Sequence, residues 1–175
     1  MSQMKKAPSS PQPKKAAAGV FISHSHGGEA AKKASLGIVG VCVHGSSGTG
    51  KSFSVAKIIQ ALKAGLPVRE LDDLRSNLDL PMDRLVPMLG ISKATLHRRK
   101  NAGRLDAAES DRVVRFARLL GRAATVMESL DAGRRWLSSQ QVGLGGAVPL
   151  EYAETEVGAR EVENLLGRIE CGVYS

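Results

Sequence analysis

Aromatic side chains are almost absent from this sequence. Phe21, Phe53, Phe116, Trp136, Tyr152 and Tyr174 are the full set in 175 residues. A core must therefore be assembled from Leu, Val, Ile and Ala, a composition that suits packed helices. Cysteine is equally scarce. Cys42 and Cys171 stand too far apart to suggest a metal cage or a disulfide framework, and they read as two reduced thiols of a cytosolic protein. No apolar run approaches the roughly 20 residues that cross a bilayer. The basic, Pro-rich N-terminus lacks the apolar stretch and cleavage pattern of a secretory signal. A membrane is thus not an expected partner, and the expected location is cytoplasmic. The length leaves room for one domain of ordinary size or two small ones.

What is present is charge, unevenly spread. Residues 91–118 hold eight Lys and Arg (93, 98, 99, 100, 104, 112, 115 and 118) against Asp106, Glu109 and Asp111. Residues 125–175 reverse the balance, with four Arg against eight Asp and Glu. A basic middle and an acidic end point to a polyanion as partner for one part and to something else for the other. Solvated helix faces would give the same counts, so charge alone does not decide.

The chain divides by composition. Residues 1–35 are rich in Lys, Ala, Ser, Pro and Gly, with almost no large apolar side chains. Such a segment buries too little surface to offset the entropy of ordering it, and is expected to be a flexible basic arm. Residues 36–64 open with a short apolar run of strand-like composition over 36–44. An amphipathic helix follows, with Val55, Ile58, Ile59 and Leu62 on one face, ended by Gly65 and Pro67. From Val68 onward the pattern is helical. Leu71, Leu74 and Leu78 mark one helix; Leu85, Met88 and Leu89 mark a second, with Pro81 at its start. A third runs from Lys93 to about Lys100. Asp106 with Glu109 three residues on predicts a capping box. It opens a long helix with Val113, Phe116, Ala117, Leu120, Ala124 and Met127 as its stripe. A short helix near Trp136 and Leu137, a Gly-rich link over 143–146 and a start at Pro149 lead to a last helix. That helix carries Val162, Leu165, Leu166 and Ile169 on one face and stops at Gly172. The fold class is mainly α.

Residues 81–100 have the form of a helix-turn-helix, in which a second short helix lies in the major groove of DNA. Ser92 is placed to cap that helix by accepting from the amide of Ala94 or Thr95. Ile91 and Leu96 face inward. Arg98 falls nearly opposite Leu96, with Lys93, His97 and Lys100 on one flank. Ser92, Lys93, Thr95, His97, Arg98, Arg99 and Lys100 are the expected DNA-binding residues, since Arg can pair with guanine and Lys neutralises phosphate. Pro87 inside the preceding helix departs from ideal geometry.

A second motif competes for attention. Residues 45–52 match the phosphate-binding loop G-x-x-x-x-G-K-[ST] at Gly45, Gly50, Lys51 and Ser52. No later apolar strand ends in an Asp that would hold magnesium, and one strand with one helix cannot form the sheet on which this loop sits. The string is read as a Gly/Ser connector. His24, His26 and His44 show no nucleophile-and-carboxylate pattern, and a metal site built on them is not expected. Catalytic residues and cofactors are accordingly none.

From about Gly65 to the end the sequence resembles the Xre/MbcA/ParS-type antitoxins. The resemblance rests on Gly65-Leu-Pro, on Thr95-Leu-His-Arg-Arg-Lys, on Gly103-Arg-Leu and on Glu109-Ser-Asp-Arg112. It continues through Ala132 to Trp136-Leu137, Leu144-Gly-Gly, Pro149-Leu, Thr155-Glu-Val-Gly158, Val162 and residues 166–173. It implies a helix-turn-helix domain over 65–122 that binds the operator of its own operon, and a toxin-binding domain over 123–175. The implied partner is a cognate RES-type toxin that degrades NAD or transfers ADP-ribose. The C-terminal end, Glu170, Cys171, Gly172, Val173, Tyr174 and Ser175, would lie at the toxin's cleft, and Trp136 would anchor the core. An acidic face of Glu151, Glu154, Glu156, Glu161, Glu163 and Glu170 would steer association, and the Ser175 carboxylate would add one more anion. Self-association is expected on DNA, because a two-fold operator needs two copies. The rivals are a stand-alone helix-turn-helix repressor and a small phosphate-loop ATPase.

Overall fold

The computed structural model describes residues 37–44 and 54–173, all within one unit. The expected arm over 1–35 lies outside the described residues. In chain order the helices are α1 Ile38–His44, α2 Val55–Ala64, α3 Arg69–Leu78, α4 Met82–Met88 and α5 Lys93–Ala102. Then come α6 Ala107–Val126, α7 Leu130–Ser138, α8 Pro149–Tyr152 and α9 Glu156–Glu170, with a 3-10 turn at Val142–Leu144 between α7 and α8. Among the described residues there is no strand, only isolated bridges at Pro67–Arg104 and Gln141–Ala147.

The capping box predicted for α6 is formed. The Asp106 carboxylate accepts from the Glu109 amide at 2.7 Å, and Glu109 accepts from the Asp106 amide at 2.9 Å. The helix so opened is the axis of the fold, contacting α1, α2, α3, α7 and α9. Its buried residues cover more than half of its circumference: Val113, Phe116, Ala117 and Leu120 as expected, and also Val114, Leu119 and Ala123. A helix apolar on more than one face belongs inside a bundle. Leu71, Leu74 and Leu78 of α3 and Val162 and Leu166 of α9 complete one continuous core with it. Trp136 only half enters this core; Leu137 beside it is the fully buried residue.

Residues 65–68 run beside residues 103–106. The Leu105 amide donates to the Leu66 carbonyl at 2.8 Å and the Val68 amide to the Gly103 carbonyl at 3.1 Å. The Leu66 amide donates to the buried Ser110 hydroxyl at 2.8 Å. Two short blocks far apart in sequence, Gly65-Leu-Pro and Gly103-Arg-Leu, are thus each other's partners in space.

The apolar run read as strand-like over 36–44 is, across Ile38–His44, helix α1. With no neighbouring strand to pair with, its backbone satisfies itself as a helix, and Ile38, Val39 and Val43 enter the core. Two features from distant sequence hold it there. The buried Glu70 carboxylate accepts from the amides of Ile38 at 3.2 Å and Val39 at 2.9 Å. Gly121 lets α1 lie directly on α6: a Cβ there would stand 2.1 Å from the Cys42 carbonyl oxygen. Replacing Glu70 by Ala leaves two amides without their acceptor, at a cost of about 1–3 kcal/mol. We expect Glu70→Ala to speed amide hydrogen exchange at Ile38 and Val39 by at least tenfold while α9 is unchanged. Exchange as slow as in the parent protein would show that Glu70 does not hold α1.

Candidate DNA-reading and toxin-binding surfaces

The turn between α4 and α5 is fixed by its own hydrogen bonds. The Gly90 amide donates to the Pro87 carbonyl at 2.8 Å and the Ile91 amide to the Val86 carbonyl at 3.1 Å, closing a Schellman motif. The motif needs a left-handed residue, and Gly90 supplies it with φ of 63°. Ile91, the next residue, is buried. Arg112 of α6 donates to the Leu89 carbonyl at 2.7 Å, tying the turn to the body. Pro87 lies inside the last turn of α4, which continues through Met88, and its carbonyl is the one that accepts from the Gly90 amide. Ser92 then caps α5, accepting from the Thr95 amide at 3.1 Å and donating to the Thr95 hydroxyl at 2.9 Å.

No residue of α5 is buried. Its inner side carries the half-buried Thr95, Leu96 and Arg99. Its outer side presents Ala94, His97, Arg98 and Asn101, with Lys93 and Lys100 flanking, all exposed. Asn101 Nδ2 lies 3.3 Å from His97 Nε2. Asn101 and Ala94 were not among the expected residues. The helix runs to Ala102 rather than stopping near Lys100, and at about 100° per residue position 101 falls in the middle of the outer face. Asn matches the edge of adenine, and a small apolar side chain can meet a thymine methyl.

Arg99, expected among the DNA-binding residues, lies on the inner side of α5: its Nε donates to Glu109 at 2.8 and 3.1 Å and its Nη2 to Asp106 at 2.6 Å. The Glu109 hydrogen bond, above all, lifts the guanidinium pKa over its ordinary value, so the group stays charged.

The charges are less segregated in space than along the chain, because Arg115 and Arg118 of the basic middle, with Arg84 and Arg122 on either side of it, pair with the acidic end. Arg115 meets Glu156 at 3.0 Å, Arg118 meets Glu163 at 3.2 Å, Arg122 pairs with Glu170, and Arg84 lies 3.6 Å from Glu151. Four of the six glutamates expected to form a steering face are therefore answered internally; Glu154 and Glu161 make no ion pair among the described residues. Arg104 donates to the Gly65 carbonyl at 2.8 Å. Among the described residues, the cations of the basic segment left without an ion pair or side-chain hydrogen bond are Lys93, Arg98 and Lys100, all on α5.

At the C-terminal end, Glu170 closes α9 and residues 171–173 cap it. The Gly172 amide donates to the Ile169 carbonyl at 3.0 Å and the Val173 amide to the Arg168 carbonyl at 2.9 Å, a second Schellman motif. Cys171, Gly172 and Val173 are exposed; Tyr174 and Ser175 lie outside the described residues. Beside this cap runs a cleft of about 370 Å3 lined by Gln141, Val142, Leu165, Ile169 and Val173. Leu165 and Ile169, expected on the inner face of α9, are half-exposed and form its floor. Val142 is 95% exposed. It is held there by a turn in which the Gln141 amide donates to the Ala147 carbonyl at 3.0 Å and the Gln141 side chain to the Trp136 carbonyl at 3.0 Å.

Gly45, Gly50, Lys51 and Ser52 lie outside the described residues. The element ahead of them is helix α1, so the strand that a phosphate loop requires in front of it is not there. Burial pushes the Cys42 thiol above its ordinary pKa, with Arg118 opposing, which favours the protonated thiol. Among the described residues no His, Cys, Asp and Glu cluster could hold a metal, and no helix is long and apolar enough to cross a membrane.

A capped, solvent-facing helix bearing the uncommitted cations of the basic segment, set behind a tight turn and joined through α6 to a second helical half, defines a helix-turn-helix protein with an appended domain. Comparison with known proteins agrees in both halves. Residues 57–118 match the family model for the antitoxin Xre-like helix-turn-helix domain, and residues 122–172 match that for the antitoxin Xre/MbcA/ParS C-terminal toxin-binding domain. Relatives include Antitoxin Xre of Yersinia enterocolitica, 34% identical over 121 residues, covering 67% of this chain and 81% of the relative. Antitoxin Xre of Photorhabdus laumondii is 33% identical over 116 residues, covering 65% and 78%. The chain belongs to the Xre family of antitoxins. It joins a helix-turn-helix domain to a toxin-binding domain, and the first match begins inside α2, upstream of Gly65.

Proposed function

We propose that this chain is the antitoxin of a type II toxin–antitoxin pair whose partner is a RES-type enzyme that consumes NAD or transfers ADP-ribose. It blocks that enzyme by seating its C-terminal end, from Glu170 onward, in the active-site cleft. Through α5 it binds and represses its own operon, as a self-associated species on a two-fold operator. It works in the cytoplasm and has no catalytic role. The observation that carries this reading is the presence on one chain of two halves matched separately to a DNA-binding and a toxin-binding domain. The first of these halves presents Lys93, Arg98 and Lys100 unpaired to solvent.

Because most of the acidic face is neutralised from within, long-range attraction is a minor part of the mechanism. Exposed ion pairs of this kind contribute little each and leave little net field. Occlusion by the tail is the major part, supported by the exposed apolar cleft beside its root, since solvent-facing valine and leucine at such a place suit a protein partner. Co-expression with the product of the neighbouring reading frame tests the pairing. The two proteins are expected to co-purify, and cells that stop growing with the neighbour alone are expected to grow with both. A neighbour that neither binds nor poisons would leave a stand-alone repressor as the better account.

A further inference from the structure

We propose that Arg99 is a positioning residue for DNA reading, one that fixes the rotation of α5 about its own axis and does not itself touch DNA. This rests on the reading of α5 as the recognition helix. With no buried residue of its own, α5 is held by the half-buried Leu96 and Thr95, by its Ser92 cap, and by the Arg99 clasp. The clasp is the directional part. Arg99 Nε is shared between both oxygens of Glu109, while Nη2 reaches Asp106. Those two carboxylates are in turn fixed by the capping box, Asp106 accepting from the Glu109 amide and Glu109 from the Asp106 amide. Glu109 is buried, so its carboxylate cannot follow a shift of the guanidinium. The planar fork of an arginine meets two carboxylates in one orientation only.

The consequence for reading DNA is geometric. A helix with its side chains has a radius of about 5–6 Å, so a turn of about 20° moves a tip at that radius by about 2 Å. That is enough to break hydrogen bonds whose useful range is a few tenths of an ångström around 2.9 Å. Arg98 and Asn101 would then miss base edges, while contacts to phosphate, which tolerate wider geometry, persist. Losing the clasp should therefore erode sequence preference more than total affinity.

The test uses the full chain with two duplexes, the segment immediately upstream of its own reading frame and a scrambled duplex of equal length. Binding is titrated over a range of salt for the parent protein, Arg99→Lys, Arg99→Gln and Lys93→Gln. We expect Arg99→Lys and Arg99→Gln to lower the ratio of specific to scrambled affinity at least tenfold. The salt slope on scrambled DNA should stay at the parent value. Lys93→Gln should reduce that slope by about 0.9, the signature of one lost phosphate contact. A variant that merely folds less well loses both affinities equally and keeps the ratio; an unchanged ratio would overturn the proposal. So would a slope reduced by one phosphate contact in Arg99→Gln, which would make Arg99 a DNA contact. A parent protein that binds neither duplex would instead overturn the reading of α5 as a recognition helix, leaving the clasp as a structural feature alone.

Discussion

Removing residues 171–175 is expected to abolish neutralisation of the toxin while the helical body stays folded and still binds its partner. The deletion takes away the Schellman cap of α9, in which Gly172 and Val173 satisfy the carbonyls of Ile169 and Arg168. A cap of this kind is worth about 1 kcal/mol, against about 5–15 kcal/mol for a typical domain. Val162 and Leu166, which pin α9 to the core, lie upstream of the cut. Fraying should therefore be confined to the last turn, where Glu170 also pairs with Arg122. If the tail is the plug, the truncated antitoxin can still dock yet leaves the active site open. Binding should weaken by roughly tenfold, corresponding to about 1.4 kcal/mol, whereas protection of growing cells is lost. Circular dichroism, co-purification and a growth assay separate these outcomes. Full protection by the truncated chain would reject occlusion by the tail and shift attention to the Val142 cleft.

The parts of this fold that were legible in the sequence are those set by neighbours in the chain. The periodicity of Leu71, Leu74 and Leu78, the Asp106–Glu109 box and the Ser92 cap each depend on residues within a turn or two, and α5 and α6 begin where their caps put them. Helix α1 was not legible. A short run rich in Val and Ile suits strand or buried helix equally, and what decides it is Glu70, more than thirty residues away, with the bare backbone at Gly121. The clasp at Arg99 was not legible for a related reason. Leu96 marks the inner side of α5, but Arg99 sits on that same side, and its partners belong to the next helix. The segregation of charge is reduced likewise, because α9 folds back against α6 and brings Glu156, Glu163 and Glu170 to Arg115, Arg118 and Arg122. Opposite charges separated along a chain predict two external partners only if the fold keeps them apart.

That cancellation sharpens the prediction for DNA. With the α6 arginines engaged elsewhere, the proposed function assigns sequence reading to the outer face of α5, and replacing Arg98 by Gln together with Asn101 by Ala should reduce operator affinity by about 100-fold or more. Each bidentate pairing of Arg with guanine or Asn with adenine is worth about 1–3 kcal/mol, and a factor of ten corresponds to about 1.4 kcal/mol. The two positions are one turn apart on the same face, so their effects can couple and the double variant need not equal the sum of the singles. Neither side chain is buried, so thermal stability should change by no more than about 0.5 kcal/mol, and neutralisation of the toxin should be untouched. Binding to scrambled DNA should fall only by the share of the lost Arg98 charge, leaving the Lys93 and Lys100 contributions in place. The measurement is a pair of titrations at fixed salt, one with upstream DNA and one with a scrambled duplex. A double variant that binds the upstream duplex as tightly as its parent would remove α5 from the interface, and with it the reason for the clasp that holds it.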